Sequence, residues 1–288
     1  SAAIARRFGA EHFGLDGTGT YVVARSRARA FARALGRRLV FAEPNWLRTR
    51  ATAGPTDPLS TPGDWRSKVA GPELMPPPVV ADSPRIALVD AAVDLTHEEF
   101  RAAPNVTVLP PATVDSAHGT ATAAVAAAPQ NGLGIVGVWP NARLLNVPLK
   151  VQRTSQGDTI SCKASGEGIR RAVEAGAAVI NMSYGSTSRC ASEWVQIYFA
   201  VAKGIIPVAA AGNEFVDGNP LEFPASLPHV VTVAATTADD RNAWFSNVND
   251  AIDLSAPGEG ILTAVPKQFD TTGQDGYDAL DGTSFAAP

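Results

Sequence analysis

Cysteine is nearly absent from this 288-residue chain, which has only Cys162 and Cys190. Two cysteines cannot build a multi-bridge framework, and no histidine cluster joins them in the spacing of a zinc site. One bridge in an oxidising compartment or two free thiols both remain open. No run of eighteen apolar residues occurs, so no segment reads as a membrane-spanning helix. Ser1 opens the chain with neither a charged nor an apolar leader region, so any secretion signal is expected to have been removed or never included. A basic excess is missing as well: 24 Lys and Arg against 28 Asp and Glu leave a formal charge of −4, which argues against nucleic acid as a partner.

What is present is 45% hydrophobic and 18% charged residues, a balance suited to one large globular domain and a small one. The charge is unevenly spread. Residues 1–50 hold ten arginines against Glu11, Asp16 and Glu43, a balance of +7, and the remaining residues balance at −11. Adjacent segments of opposite sign suggest that the basic one docks on the acidic one. Within the basic segment, residues 20–25 read as a strand, and Ser26 is placed to cap a helix reaching about Leu35. Phe31 and Leu35 share a face of that helix and Gly36 closes it. Arg38 to Ala42 reads as a second strand, giving a small β-α-β unit. Residues 51–84, rich in Pro, Gly, Thr and Ser, read as a linker or extended arm without regular structure of its own.

From Arg85 onward, continuous apolar runs typical of buried parallel strands appear at Ile86–Val89, Leu144–Leu149, Ala178–Met182, Ile205–Ala210 and Val230–Ala234. Helical stretches at 119–128, 166–176 and about 191–203 alternate with them. The expected fold is α/β, a doubly wound, mostly parallel sheet with helices on both faces, where chemistry gathers at the carboxyl ends of strands. Asp90 and Asn213 each follow such a run. His118 opens an alanine-rich helix, and Ser284 sits between Gly282-Thr283 and Phe285-Ala286-Ala287-Pro288, where a loop turns into a helix. Small neighbours admit a substrate backbone, and a helix start favours developing negative charge. Singly, each of these residues is equally a cap or a turn former.

Together they resemble the subtilisin-like serine proteases (subtilases), preceded by part of an inhibitory propeptide. The matching stretches are Ile86-Ala-Leu-Val-Asp90, His118-Gly-Thr, Val179-Ile-Asn-Met-Ser-Tyr-Gly185, Ala209-Ala-Ala-Gly-Asn213 and Gly282-Thr-Ser-Phe-Ala-Ala-Pro288. The resemblance implies a serine endopeptidase in which Ser284 is the nucleophile, His118 the base and Asp90 its orienting carboxylate. It gives Asn213 the oxyanion-binding amide. It assigns Ser183, Tyr184 and Gly185 to the edge that pairs with substrate, and Ala210, Ala211, Gly212 and Glu214 to the P1 pocket. Broad apolar preference with some tolerance for basic P1 residues follows.

A structural Ca²⁺ is also implied, held by Asn131 with the carbonyls of Pro129, Leu133 and Ile135, with Glu99 and Asp57 adding carboxylates. The resemblance sets Cys162 and Cys190 near the rim of the substrate groove, where a bridge would stiffen the binding edge. Residues 1–50 look like a propeptide remnant, 51–84 like the arm of the mature enzyme, and 85–288 like a catalytic domain lacking its C-terminal part. A secreted or periplasmic, monomeric zymogen acting on polypeptides is expected, its own propeptide serving as inhibitor, and the chain is expected to be a piece of a longer precursor. Two departures stand out. Ala91-Ala92 replaces a Thr/Ser-Gly pair, which would strain the loop if φ there is positive, and Ala121-Thr122-Ala123-Ala124 lacks a usual second His and Gly. A catalytically inactive peptide-binding or scaffold domain is the alternative, and an unrelated α/β ligand-binding domain a third reading.

Overall fold

In a computed structural model the chain divides into two compact units, Ser1–Arg50 and Ala51–Pro288. The residues described are 2–12, 21–36, 57–60, 64–69, 78–103, 105–154, 157–273 and 275–288. In the first unit α1 (Ala2–Arg7) leads to β1 (Glu11–His12), which pairs antiparallel with β2 (Tyr21–Val22). Helix α2 (Arg25–Leu35) follows. Phe31 is its buried anchor, with the rings of Phe8 and Tyr21 at 5.7 and 6.2 Å. The helix begins ahead of Ser26: Ala24 stands at the cap position and no side chain caps it. Gly36 closes α2 at φ 52°, a conformation that favours glycine. The strand expected at 38–42 lies outside the described residues.

The first described residue of the second unit is Asp57, which is fully buried, and α3 (Trp65–Val69) follows. A stretch expected to be irregular therefore contains a helical turn and is tied down. Trp65 Nε1 donates to Leu262 O at 3.2 Å and Arg66 Nε to Gly137 O at 2.8 Å.

The sheet is then laid down by β3 (Arg85–Asp90), β4 (Val106–Val108), β5 (Arg143–Pro148), β8 (Val179–Met182), β9 (Ile206–Ala210), β10 (Val231–Thr236) and β11 (Leu254–Pro257), counting the small hairpins β6–β7 (Gln152–Thr154, Gly157–Thr159) and β12–β13 (Ile261–Ala264, Tyr277–Leu280) separately. Its order is β11-β10-β9-β8-β3-β5-β4 and every pairing is parallel. Helices α4 (His118–Ala127), α5 (Cys162–Glu174), α6 (Ala191–Ala202) and α7 (Thr283–Ala286) complete the fold.

Successive strand residues face opposite sides of a sheet, and the core divides accordingly. Val89, Leu145, Val147, Ile180 and Met182 pack with Ile169 and Ala172 of α5 and Ile197 and Ala200 of α6. Their neighbours Leu88 and Leu144 turn the other way, onto Ala123, Ala124 and Ala127 of α4. Each large aliphatic side chain buried in this way contributes about 1.5–3 kcal/mol. Covering both faces is what makes the central strands apolar throughout. It leaves the carboxyl ends of β3, β8 and β9 as the place where polar side chains gather.

Candidate active site

Asp90 closes β3 and is 2% exposed. Its Oδ1 accepts the Ala91 N–H at 2.6 Å and meets His118 Nδ1 at 2.8 Å, while Thr122 Oγ1 stands 3.2 Å from Oδ2. A carboxylate this buried is tolerable because donors surround it. The contact assigns the His118 tautomer: the proton sits on Nδ1 and Nε2 is left as acceptor. His118 is the first residue of α4, and its side chain remains one-third exposed.

The turn after β3 is held from the next strand. Asn146 on β5 is fully buried, accepts the Val93 N–H through Oδ1 at 3.0 Å, and donates through Nδ2 to Ala91 O at 3.0 Å. Ala91 and Ala92 are buried, and neither is among the non-glycine residues of positive φ. The strain considered for this pair is therefore absent. Gly119 lies directly over it: a Cβ there would fall 2.0 Å from Ala91 O. The glycine after the histidine is a packing requirement between α4 and the Asp90 turn.

Ser284, on α7, is fixed by a reciprocal pair of bonds with Ser183 just past β8. Ser284 Oγ donates to Ser183 O at 3.0 Å, and Ser183 Oγ donates to Ser284 O at 2.9 Å. Asn181 Nδ2 in turn donates to Ser183 Oγ at 2.9 Å. Phe285 follows Ser284, its ring centroid 5.9 Å from that of His118 and its side chain packed on Ala121 and Val125 of α4. Asn213 follows β9. Its Oδ1 accepts from both Thr283 N and Thr283 Oγ1 at 2.9 Å, which holds the carboxamide, and Nδ2 lies 3.7 Å from where a Cβ on Gly282 would stand, at the start of α7.

The remaining groove residues sort by what their side chains touch. Tyr184 turns inward, its hydroxyl 2.8 Å from Ser165 Oγ on α5, so only its backbone is offered to the groove. Burial raises its phenol far above the usual range. Gly185 is exposed, and Ala210 and Ala211 are buried behind Gly212, whose φ is 101°. Glu214 Oε2 accepts the Asn213 N–H at 2.7 Å.

One residue beside them went unread in the sequence. Glu222, 5% exposed, reaches Gly185 and Gly212, and burial first and then Glu214 push its carboxyl up to about 7. Its only sequence signal is an acid directly before Phe223-Pro224. An antiparallel bridge between Ser186 and Phe223 brings it in.

Cys162 and Cys190 are joined, with Cα atoms 5.7 Å apart. Cys162 is the first residue of α5, capped by Ser161, whose Oγ accepts the Ala164 N–H at 3.2 Å. That helix therefore starts four residues before Gly166, where the sequence places it. Cys190 caps α6, so the bridge ties the starts of two neighbouring helices.

At the loop read as a calcium site, Asp57 Oδ1 and Oδ2 accept the N–H groups of Gly132 (2.8 Å) and Asn131 (3.1 Å). Glu99 Oε1 accepts the Ile135 N–H at 2.6 Å and the Tyr277 hydroxyl at 3.1 Å, while Glu99 Oε2 is buried with no partner among the described residues. Burial, chiefly, pushes this carboxyl up to about 7. Among the described residues no three His, Cys, Asp or Glu side chains converge as a metal site, and the carbonyls of Pro129, Leu133 and Ile135 accept no backbone hydrogen bond. One orphaned carboxylate oxygen and loop carbonyls without a backbone hydrogen bond are all oxygen donors, the chemistry a hard cation such as Ca²⁺ takes.

A buried acid orienting an imidazole, a serine next in sequence to the phenylalanine that packs near that ring, and a clamped carboxamide are the parts of a serine hydrolase. Residues 81–288 match the subtilase family, and the chain belongs to that family of serine proteases. It is 34% identical to alkaline elastase YaB of Bacillus sp. (strain YaB) over 71% of this chain and 51% of that protein. To subtilisin NAT of Bacillus subtilis subsp. natto it is 30% identical, over 77% of this chain and 57% of that one. The chain thus spans little more than half the length of these curated relatives. Among solved structures, the prenylagaramide maturation protease PagA superposes with TM-score 0.61 at 32% identity, covering 71% of each chain. The self-cleaved protease domain of PatA gives 0.59, at 33% identity over 71% of this chain and 76% of that one.

Proposed function

We propose that the protein is a serine endopeptidase that cleaves polypeptides through an acyl-enzyme. The observation that carries this is the 2.8 Å contact of His118 Nδ1 with the buried Asp90, which orients the ring and makes Nε2 its basic nitrogen. As the Ser284 hydroxyl hydrogen turns from Ser183 O to His118 Nε2, Oγ attacks the peptide carbonyl. The Asn213 amide and the Ser284 N–H stabilise the oxyanion, each such donor lowering the barrier by about 3–4 kcal/mol. His118 then protonates the leaving amine, and water, deprotonated by the same ring, releases the acid. Substrate lies extended along Ser183–Gly185.

The protein is made as a precursor that processes itself, residues 1–50 acting as inhibitor; the charge split of the sequence supports this, and the PatA protease domain is described as self-cleaved. The bridge between Cys162 and Cys190 supports a secreted or periplasmic site of action. Calcium, held by Glu99, Asn131, Asp57 and the carbonyls of Pro129, Leu133 and Ile135, would pin the loop and take no part in bond making.

A serine-directed fluorophosphonate should label the protein, and Ser284→Ala should abolish both labelling and self-processing. Labelling that survives in S284A would remove Ser284 from the role. No labelling of the wild type would favour a peptide-binding domain without activity.

A further inference from the structure

Glu222 is a buried acid with an unusual position. A Cβ built on Gly185 would fall 2.6 Å from Glu222 Oε2, and one built on Gly212 would fall 2.5 Å from Glu222 Cγ and 2.7 Å from Glu214 Oε2. The Glu222 side chain therefore crosses the gap between the segments 183–185 and 210–212, with the Glu214 carboxyl beside it. These two segments flank the nucleophile: Ser183 exchanges hydrogen bonds with Ser284, and Asn213 is clamped by Thr283. A substrate paired along 183–185, with its scissile carbonyl at Ser284, must send the side chain of the residue bearing that carbonyl into this gap.

Glu222 is 5% exposed, and among the described residues its carboxyl makes no hydrogen bond or ion pair, yet its oxygens are not sealed from solvent as Glu99 Oε2 is, so the carboxyl opens into the gap. Arg189 stacks on the ring of Phe223, the residue after Glu222, at 5.0 Å. Two carboxyls that face one solvent-reached gap repel each other, and a cation entering it would relieve that repulsion. A long cationic side chain is the partner whose shape and sign fit.

We propose that Glu222, seconded by Glu214, selects arginine or lysine as the substrate residue whose carbonyl is attacked. This rests on the endopeptidase reading of the same site and replaces the broad apolar preference expected from the sequence. The raised pKa of Glu222 supports it, because a cation entering the gap relieves both the burial and the repulsion from Glu214.

The test compares two peptide substrates that differ only in arginine or leucine at that position. The protein should favour arginine by at least tenfold in kcat/KM. Glu222→Gln should lower the arginine value by roughly thirtyfold or more, the effect of removing one partner of a buried charge pair, and so bring the arginine-to-leucine ratio close to one. Glu214→Gln should reduce the arginine preference by less. A leucine preference in the wild type would overturn the proposal while leaving the protease standing, and it needs no variant to fold. An arginine preference that E222Q does not change would also overturn it. Cleavage of neither substrate would overturn the endopeptidase reading and this one with it.

Discussion

Replacing Gly119 by alanine should damage activity far more than stability. The added Cβ would fall 2.0 Å from Ala91 O and 2.6 Å from its carbonyl carbon, and real Cβ contacts stay beyond 3.0 Å. Helix α4 and the Ala91 peptide must then part by about 1 Å, because the obstacle is backbone and cannot rotate away. His118 is the preceding residue on α4 and Asp90 the one before Ala91. The same displacement would stretch their 2.8 Å contact toward about 3.8 Å, past hydrogen-bond reach. Overpacking costs about 1–3 kcal/mol, and the better helix propensity of alanine returns about 1. The melting temperature should fall by only a few degrees. A 1 Å misplacement of a catalytic group, by contrast, lowers kcat/KM by about a hundredfold. Ala91→Gly should not rescue the variant, since it leaves the carbonyl in place. Thermal melts and peptide-hydrolysis rates measured on the same preparations decide the matter. A G119A protein within twofold of wild-type kcat/KM would refute the reasoning.

Thr122→Val removes the hydroxyl near Asp90 Oδ2 without altering shape, and should lower kcat/KM by about tenfold, the worth of one hydrogen bond to a charged group. The pH profile should shift with it, and an unchanged profile would show that Thr122 bonds only to the backbone of α4. Opening the Cys162–Cys190 bridge, which spans a sequence separation of 28, should cost about 3–4 kcal/mol from loop-closure entropy. A Cys162→Ser, Cys190→Ser protein that melts within two or three degrees of wild type would contradict this. For Glu222, whose carboxyl is pushed up to about 7, the deprotonated form is the one that attracts a cation. The arginine-to-leucine rate ratio should therefore rise with pH through about 7, since any titration common to both substrates cancels. The stability contribution runs the opposite way, being present when Glu222 is protonated and lost as pH rises through 7. The charged group acting on it is Glu214, while Arg189 stacks on the neighbouring Phe223 ring. A flat ratio between pH 5.5 and 8.5 would count against the assignment.

The strands legible in the sequence were those buried on both faces. β3, β5, β8, β9 and β10 each show a continuous apolar run because helices cover both sides. The strands at the two ends of the sheet carried no such signal. Val106–Val108 is short and half exposed, and Leu254–Pro257 buries only its last residue well. The irregular composition of 51–84 concealed α3, since what holds it is tertiary: Trp65 bonds to a carbonyl 197 residues further on. Each catalytic candidate could be found because its setting is local, a strand end or a helix start. Glu222 could not. Its position depends on Ser186 pairing with Phe223, a contact between two loops 37 residues apart that no pattern within either loop announces.

The pair Ala91-Ala92 shows why a local rule can mislead at such a site. Read alone, two alanines after Asp90 raise the prospect of a strained turn, because a glycine there suggests positive φ. The turn instead keeps ordinary backbone angles, and its shape is imposed from outside. Asn146 bonds both limbs of it from β5, and α4 presses on Ala91 O through a residue that has no side chain. The freedom from strain at Ala91 is thus matched by a steric demand at Gly119, twenty-eight positions later. The Asp90 turn and the start of α4 are therefore specified as one object, and the hydrogen bond between Asp90 and His118 is the distance that object sets.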